Sequence, residues 1–357
     1  MPTGDQEDLP RKITVAAVQA QLRFYAAADQ FRRQMTEMVH RAMERSPDLI
    51  VLPEDVGTGL VALGTDFAAR AHSLRQAIVA VAIRNIGSAI PLLLRPSLSV
   101  PRALLLTMAE RVRAVYVDTF STLAAECGAF IAAGTVLLPR LNASNHQVYN
   151  TFFLFGPDGA VVDTSDKVNL IELEASGGLD LSPGPRDAVP VWRTPVGNFA
   201  PVVCYDAWDD ALVERLVGEG AQMLLVPSAN PEPWGEHVLA ERREGMYSKV
   251  RDLAVPGVEA FAVGDLAGLT FEGRSWILGP DPDEPDGVAT LADDELSYDY
   301  AAVCLGAGTD YHDLPGLADH ATPLDRIDDA HEIRERFIEV CAVGGRVVVG
   351  GAGLSGV

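Results

Sequence analysis

Short apolar runs separated by amphipathic helical stretches recur along most of this chain, and that alternation restricts it to sheet covered by helices. Residues 13–20 (ITVAAVQA) are a β-branched run that reads as a strand. Residues 26–45 carry Phe31, Met35, Met38, Val39 and Ala42 at helical spacing and stop at Ser46-Pro47. Residues 48–52 (DLIVL) form a continuous apolar strand that ends at Pro53. Strand, helix and strand within about 40 residues make a βαβ-type opening. Further strands are expected at 130–138, 198–204, 222–227, 258–263 and 274–278, with a hairpin at 151–155 and 160–163 around Gly156-Pro157-Asp158-Gly159. Helices are expected at about 103–127, 208–219 and 236–253. Nothing linker-like interrupts this alternation up to about residue 305. The expected organisation is therefore one α/β domain, 13–305, between a polar extension at 1–12 and a C-terminal extension at 306–357. The latter holds one more helix (328–341) and a last strand (346–349).

Charge excludes some functions. Fifty acids stand against 28 bases, a formal net of −22, and only Lys12, Lys167 and Lys249 are lysine. So acidic a chain is a poor binder of nucleic acid, where attraction between basic side chains and phosphate supplies the affinity. The charge is uneven. Residues 281–330 hold 14 acids and one base, whereas 67–109 contain Arg70, Arg75, Arg84, Arg95 and Arg102 and no acid. That stretch is apolar, broken by Pro91, Pro96 and Pro101, and reads as an insertion. First among its readings is a helical cover on the domain or a partner subunit, with its arginines paired to the acidic stretch. A lid over a site comes second, and a contact with an anionic membrane surface third.

Residues 1–9 are polar and carry no apolar leader-like run, and no uncharged apolar run approaches the ~20 residues of a membrane span. The four cysteines, Cys127, Cys204, Cys304 and Cys341, lie far apart without metal-site spacing. A reducing cytoplasm with free thiols is the expectation. Seven scattered histidines predict no metal site. Gly351-x-Gly353-x-x-Gly356 follows a strand, but neither the helix nor the acidic residue that a dinucleotide needs comes after it.

Three segments join a strand end to a reactive side chain. Leu52-Pro53-Glu54 puts a carboxylate just past a buried strand, where burial would raise its pKa toward that of a general base. Taken alone, it equally starts a solvated loop. Asp166-Lys167 follows the hairpin beside Val168, Leu170 and Ile171; taken alone, Lys167 is a surface lysine snorkelling off a strand end. Val202-Val203-Cys204-Tyr205-Asp206 leads into a helix, whose N-terminus favours a thiolate and whose N–H groups suit a developing oxyanion. Taken alone, Cys204 is a core residue.

Together and in order, Glu54, Lys167 and Cys204 resemble the nitrilase superfamily, the carbon–nitrogen hydrolases with a Glu-Lys-Cys triad. The stretches ITVAAVQA, DLIVLPED, YNTFFLFGPDGAVVDTSDKVNL, VVCYDAW, GAQMLLVPSA and FEGRSWILGP carry the resemblance over about 13–305. It implies an α-β-β-α sandwich, a cofactor-free enzyme and a homodimer or larger homo-oligomer. Cys204 would be the nucleophile on a linear amide, with carbamoyl or nitrile substrates next. Glu54 would be general base and then acid, and Lys167 with the N–H of Tyr205 would hold the oxyanion. A second glutamate after the lysine would be Glu172 or Glu174, and spacing favours Glu174. Trp208, Trp234 and Tyr205 are candidate pocket walls. The residues after Cys204 (Ala207-Trp208-Asp209-Asp210) and Lys249-Val250-Arg251-Asp252 depart from the family's usual spelling. Two alternatives stay open: an N-acyltransferase with an amine replacing water, and a non-catalytic binding or scaffold protein.

Overall fold

The computed structural model describes residues 13–67, 71–141 and 145–290, together with the backbone of 300–305. The chain divides into Met1–Leu305 and Gly306–Val357. The extensions expected at 1–12 and 306–357 lie outside the described residues, as does most of the acidic 281–330 stretch.

The run ITVAAVQA supplies two strands, not one: β1 (Ile13–Val18) and β2 (Ala20–Gln21). They are parted at Gln19, whose side chain turns to accept from the Ser275 N–H. Next come α1 (Ala28–Met43), β3 (Leu49–Val51), α2 (Leu74–Arg84), α3 (Ile86–Leu93), α4 (Val100–Cys127), β4 (Phe130–Leu138), β5 (Tyr149–Phe155) and β6 (Val161–Asp166). The second half holds β7 (Trp192–Thr194), β8 (Gly197–Pro201), α5 (Asp210–Gly218), β9 (Met223–Ser228), α6 (Glu236–Arg242), α7 (Ser248–Leu253), β10 (Gly257–Leu266), β11 (Leu269–Phe271), β12 (Trp276–Pro280), β13 (Val288–Thr290) and β14 (Tyr300–Leu305).

Two mixed sheets result. One runs β14-β1-β3-β4-β5-β6, the other β13-β12-β10-β9-β8-β7, with β2 and β11 added beside β10. Period-two alternation assigns each side chain to a layer. Val15, Ala17, Leu49, Val51, Phe152 and Leu154 face Phe199, Leu225, Val258 and Ile277 of the other sheet. Their neighbours Ala16, Val18, Ile50 and Phe153 face the opposite way, onto Phe31 and Met35 of α1 and Tyr116 and Phe120 of α4. On the second sheet, Ala200, Leu224, Val226 and Leu278 lie beneath Leu212 and Leu216 of α5 and Val250 of α7. The layers are thus α-β-β-α. Central strands covered on both faces read as unbroken apolar runs, which is why DLIVL carries no polar alternation.

The acid-free 67–109 stretch folds as α2, α3 and the start of α4, with Ala80, Val81 and Ala89 packed into the core beneath α4. Of its prolines only Pro96 falls in a break, between α3 and α4; Pro91 lies inside α3, and Pro101 sits in the first turn of α4 beside the Ser99 N-cap. A missing N–H costs nothing in a first turn. Arg102 pairs with Asp180 at 3.1 Å, and Arg84 Nε donates to the Gly64 carbonyl. Of the expected acidic partners in 281–330, the described side chains are those of 281–290, where Asp286 pairs with Arg243 at 3.1 Å; the other acids lie outside the described side chains. No single helix among the described residues is long and apolar enough to cross a membrane; α2 and α3 are apolar together but meet at a 106° bend. The helix expected over 236–253 is also interrupted, by a π-turn at Arg243–Tyr247 with non-helical Gly245 inside it.

One glycine controls the approach to Glu54. The β4 backbone bulges between Ala132 and Thr135, where Gly134 has φ +70°. A Cβ there would lie 2.0 Å from the Pro53 carbonyl oxygen. Gly134→Ala is expected to destabilise the fold by roughly 1–3 kcal/mol, from the left-handed φ and the displaced strand. Glu54 moves with Pro53, so the variant should lose activity at temperatures where circular dichroism still reports a folded protein.

Candidate active site

Glu54, Lys167 and Cys204 come from three separate strand ends: past β3, past β6, and in the turn after β8. The carboxyl ends of strands are where open α/β sheets place their sites. Lys167 is 1% exposed and Glu54 2%. Lys167 Nζ donates to Glu54 Oε1 at 2.8 Å and to Glu174 Oε2 at 2.6 Å. Glu174, not Glu172, is the second glutamate at the lysine. Its Oε2 also accepts from the Ile171 N–H, which fixes the intervening turn.

Asn150 completes this group, and nothing in the sequence singles it out. Fully buried on β5, its Nδ2 donates to Glu54 Oε1 (2.9 Å) and Glu174 Oε1 (2.8 Å), so one amide spans both carboxylates. Its Oδ1 has no hydrogen-bond partner. Its backbone carbonyl receives the Lys167 N–H at 2.9 Å, so one residue registers the lysine and both acids.

Cys204 opens a short 3₁₀ turn, Cys204–Trp208, with φ +47°. Left-handed backbone at a non-glycine residue carries strain, held here by its surroundings. Asp206, in the same turn, accepts from the Val168 N–H, the Asn169 N–H and Asn169 Nδ2. That carboxylate ties the cysteine turn to the segment after Lys167. The Cys204 Sγ lies 3.9 Å from the Ala229 carbonyl, while the Ala229 N–H donates to Glu54 Oε2 at 3.0 Å. One residue just past the end of β9 therefore touches the carboxylate with its N–H and the thiol with its carbonyl.

Electrostatics follow from burial. Desolvation raises Glu54 to about 8 against the pull of Lys167, with Glu174 and Asp55 adding to the rise. Desolvation, then Glu54, push the Cys204 thiol up to about 12, while Lys167 and Arg242 draw it down. For Lys167, burial is the largest influence and lowers its pKa. Glu54, Cys204 and Glu174 outweigh it, so the ammonium stays charged well above its usual range.

A cleft opens over Glu54, Lys167 and Glu174, walled by Ala229, Pro231 and Phe271 among others. Ala229 is shared between this wall and the thiol contact. Of the aromatic residues expected as pocket walls, Tyr205 and Trp208 share the Cys204 turn, and none of the three borders this cleft. Tyr205 is 48% exposed and stacks on Trp208 at 5.6 Å. Trp208 lies against Arg242, and Trp234 packs on Phe261 and Trp276. No group of three or more His, Cys, Asp or Glu residues among the described residues could hold a metal ion.

A family model described as carbon-nitrogen hydrolase matches residues 14–281. An omega-amidase of Xenopus tropicalis is 29% identical over 127 residues, 34% of this chain and 44% of that protein. The match thus spans less than half of that curated relative. Among solved structures, a nitrilase-superfamily protein of Saccharomyces cerevisiae aligns with a TM-score of 0.53 at 21% identity, over 76% of this chain and 83% of its own. A mutant amidase from Nesterenkonia sp. AN1 aligns with a TM-score of 0.54 at 20% identity, over 79% and 86%; its active-site cysteine carries the acetamide moiety of fluoroacetamide. These likenesses establish a shared fold.

Proposed function

Because the chain belongs to the carbon–nitrogen hydrolase family, we propose that it cleaves the C–N bond of a small linear amide through a thioester on Cys204. The observation that carries this reading is Ala229, whose carbonyl meets the Cys204 thiol and whose N–H meets a carboxylate that Lys167 also holds. Glu54 takes the thiol proton as Sγ attacks the amide carbon. The carbonyl π electrons move to oxygen, where Lys167 and the Tyr205 N–H stabilise the oxyanion. Collapse expels nitrogen, which takes the proton from Glu54 and leaves as ammonia or amine. Water then attacks the thioester, Glu54 accepts its proton, and collapse of the second tetrahedral species returns the thiol and frees the acid. Asn150 and Glu174 hold the acid–lysine pair in place throughout.

Omega-amides head the panel because the curated relative is an omega-amidase. The test is ammonia release from short omega-amides, carbamoyl compounds and nitriles, with product acid identified by mass spectrometry. No turnover of any of them, in protein shown to be folded, would sink the reading. Added hydroxylamine separates hydrolysis from acyl transfer, since a dedicated transferase would yield hydroxamate almost exclusively.

A pH profile follows from Glu54. Its pKa is raised to about 8, so the base is protonated below that value and free above it. kcat/KM should therefore climb with pH and level off above about 8, and the limb belongs to the coupled Glu54–Cys204 pair. A profile falling over pH 6–9 would contradict Glu54 as the base.

A further inference from the structure

A second buried ion pair sits at the nucleophile, and the scheme above makes no use of it. Arg242 closes α6, is 5% exposed, and donates from Nη1 to Glu259 Oε1 at 3.1 Å. Glu259, fully buried on β10, also accepts from Ser228 Oγ and Trp276 Nε1, both at 2.8 Å. The guanidinium lies 4.8 Å from the Trp208 ring and 5.0 Å from the Phe261 ring. Its Nε has no hydrogen-bond partner, and the Cys204 sulphur is among the groups whose charge acts on it.

Packing alone does not call for this arrangement. Apolar side chains of similar volume would fill the space without desolvating two charges. The pair is instead tied to the site on two sides. Ser228 holds Glu259, and the next residue, Ala229, contacts both Glu54 and Cys204. Trp208, beneath the guanidinium, belongs to the same 3₁₀ turn as Cys204. The π-turn after Arg242 presses Gly245 onto that indole; a Cβ there would lie 2.7 Å from Trp208 Cζ2. The interruption of the helix thus clamps Arg242 in place.

Charge supplies the reason. Lys167 is shared by Glu54 and Glu174, so that trio carries no spare positive charge for sulphur. The charged groups facing the thiol are Glu54 past β3, Lys167 past β6 and Arg242 on α6, with Glu174 behind the lysine and Glu259 behind the arginine. We propose that Arg242 is a second cation for the Cys204 thiolate, holding Sγ in position for attack and stabilising it as the leaving group when the second tetrahedral species collapses, with Glu259 as its positioning residue. This rests on Cys204 being the nucleophile. The thiol's own balance agrees, because Arg242 opposes the rise that burial and Glu54 impose.

The test is the pH dependence of Cys204 alkylation by iodoacetamide, read on the Cys204 peptide by mass spectrometry, in the full chain. Arg242→Gln with Glu259→Gln removes both charges and leaves no unpaired ion. In that variant Cys204 should alkylate roughly tenfold more slowly than in the parent at the same pH, over about pH 7–9. Glu259→Gln alone leaves the cation uncompensated, and alkylation should be faster. Arg242→Lys should keep the parent profile. Opposite-signed changes are not what loosened packing produces. A folded double variant with the parent's profile overturns the inference and leaves the proposed function standing. If the double variant does not fold, unchanged or slower alkylation in Glu259→Gln overturns it. Should Cys204→Ala keep the parent's turnover, the nucleophile assignment fails and this inference with it.

Discussion

Cys204→Ala is expected to release no ammonia from any amide that the parent hydrolyses, a loss of roughly a thousandfold or more. The sulphur forms the bond in both halves of the reaction, and no neighbour can replace it. Asp206 is committed to the backbone after Lys167, and Glu54 to three donors. Folding should barely change, because the thiol contributes one weak contact, 3.9 Å to the Ala229 carbonyl. A midpoint of unfolding close to the parent's, together with absent turnover, is the expected pair of results. Retained turnover would remove Cys204 from the chemistry.

Lys167→Met should fail in both respects. The lysine is the cation between two buried carboxylates, and removing one partner of a buried ion pair costs about 3–5 kcal/mol. Asn150 remains as a neutral donor to both acids and cannot balance their charge. The sign of the pH dependence identifies the cause. Without the ammonium, the folded-state pKa of Glu54 lies further above that of the unfolded chain. Stability from such groups is fully present below the unfolded value and is lost as pH rises through the folded one. The variant should therefore be closer to the parent at pH 5 than at pH 8 in urea unfolding. An equal deficit at both pH values would mean that lost packing dominates.

Much of this architecture is legible in the chain because local chemistry and tertiary role agree. DLIVLPE reads as a buried strand ending in an acid, and Glu54 does follow β3. Lysine is so rare that Lys167 stands out after its hairpin. Other features have no local signature. Asn150 is an ordinary polar residue in an apolar strand, and it meets Glu54 across 96 positions. Arg242 and Glu259 look like surface charges on a helix and a strand, and become a buried pair only when α6 packs on β10. The partners of Trp208 and Trp234, namely Arg242, Phe261 and Trp276, are likewise set by the tertiary fold and have no local signature. The split of ITVAAVQA between two sheets depends on Gln19 reaching Ser275, a contact that no periodicity announces.

The central claim is a covalent thioester on Cys204, and mass spectrometry of that peptide tests it most directly. An activated ester of the acid whose amide the protein hydrolyses makes acylation outrun deacylation, so the intermediate accumulates before an acid quench. The account predicts that the Cys204 peptide gains the mass of the acyl group and loses it as the ester is exhausted. Steady consumption of the ester with the Cys204 peptide unmodified throughout would contradict it.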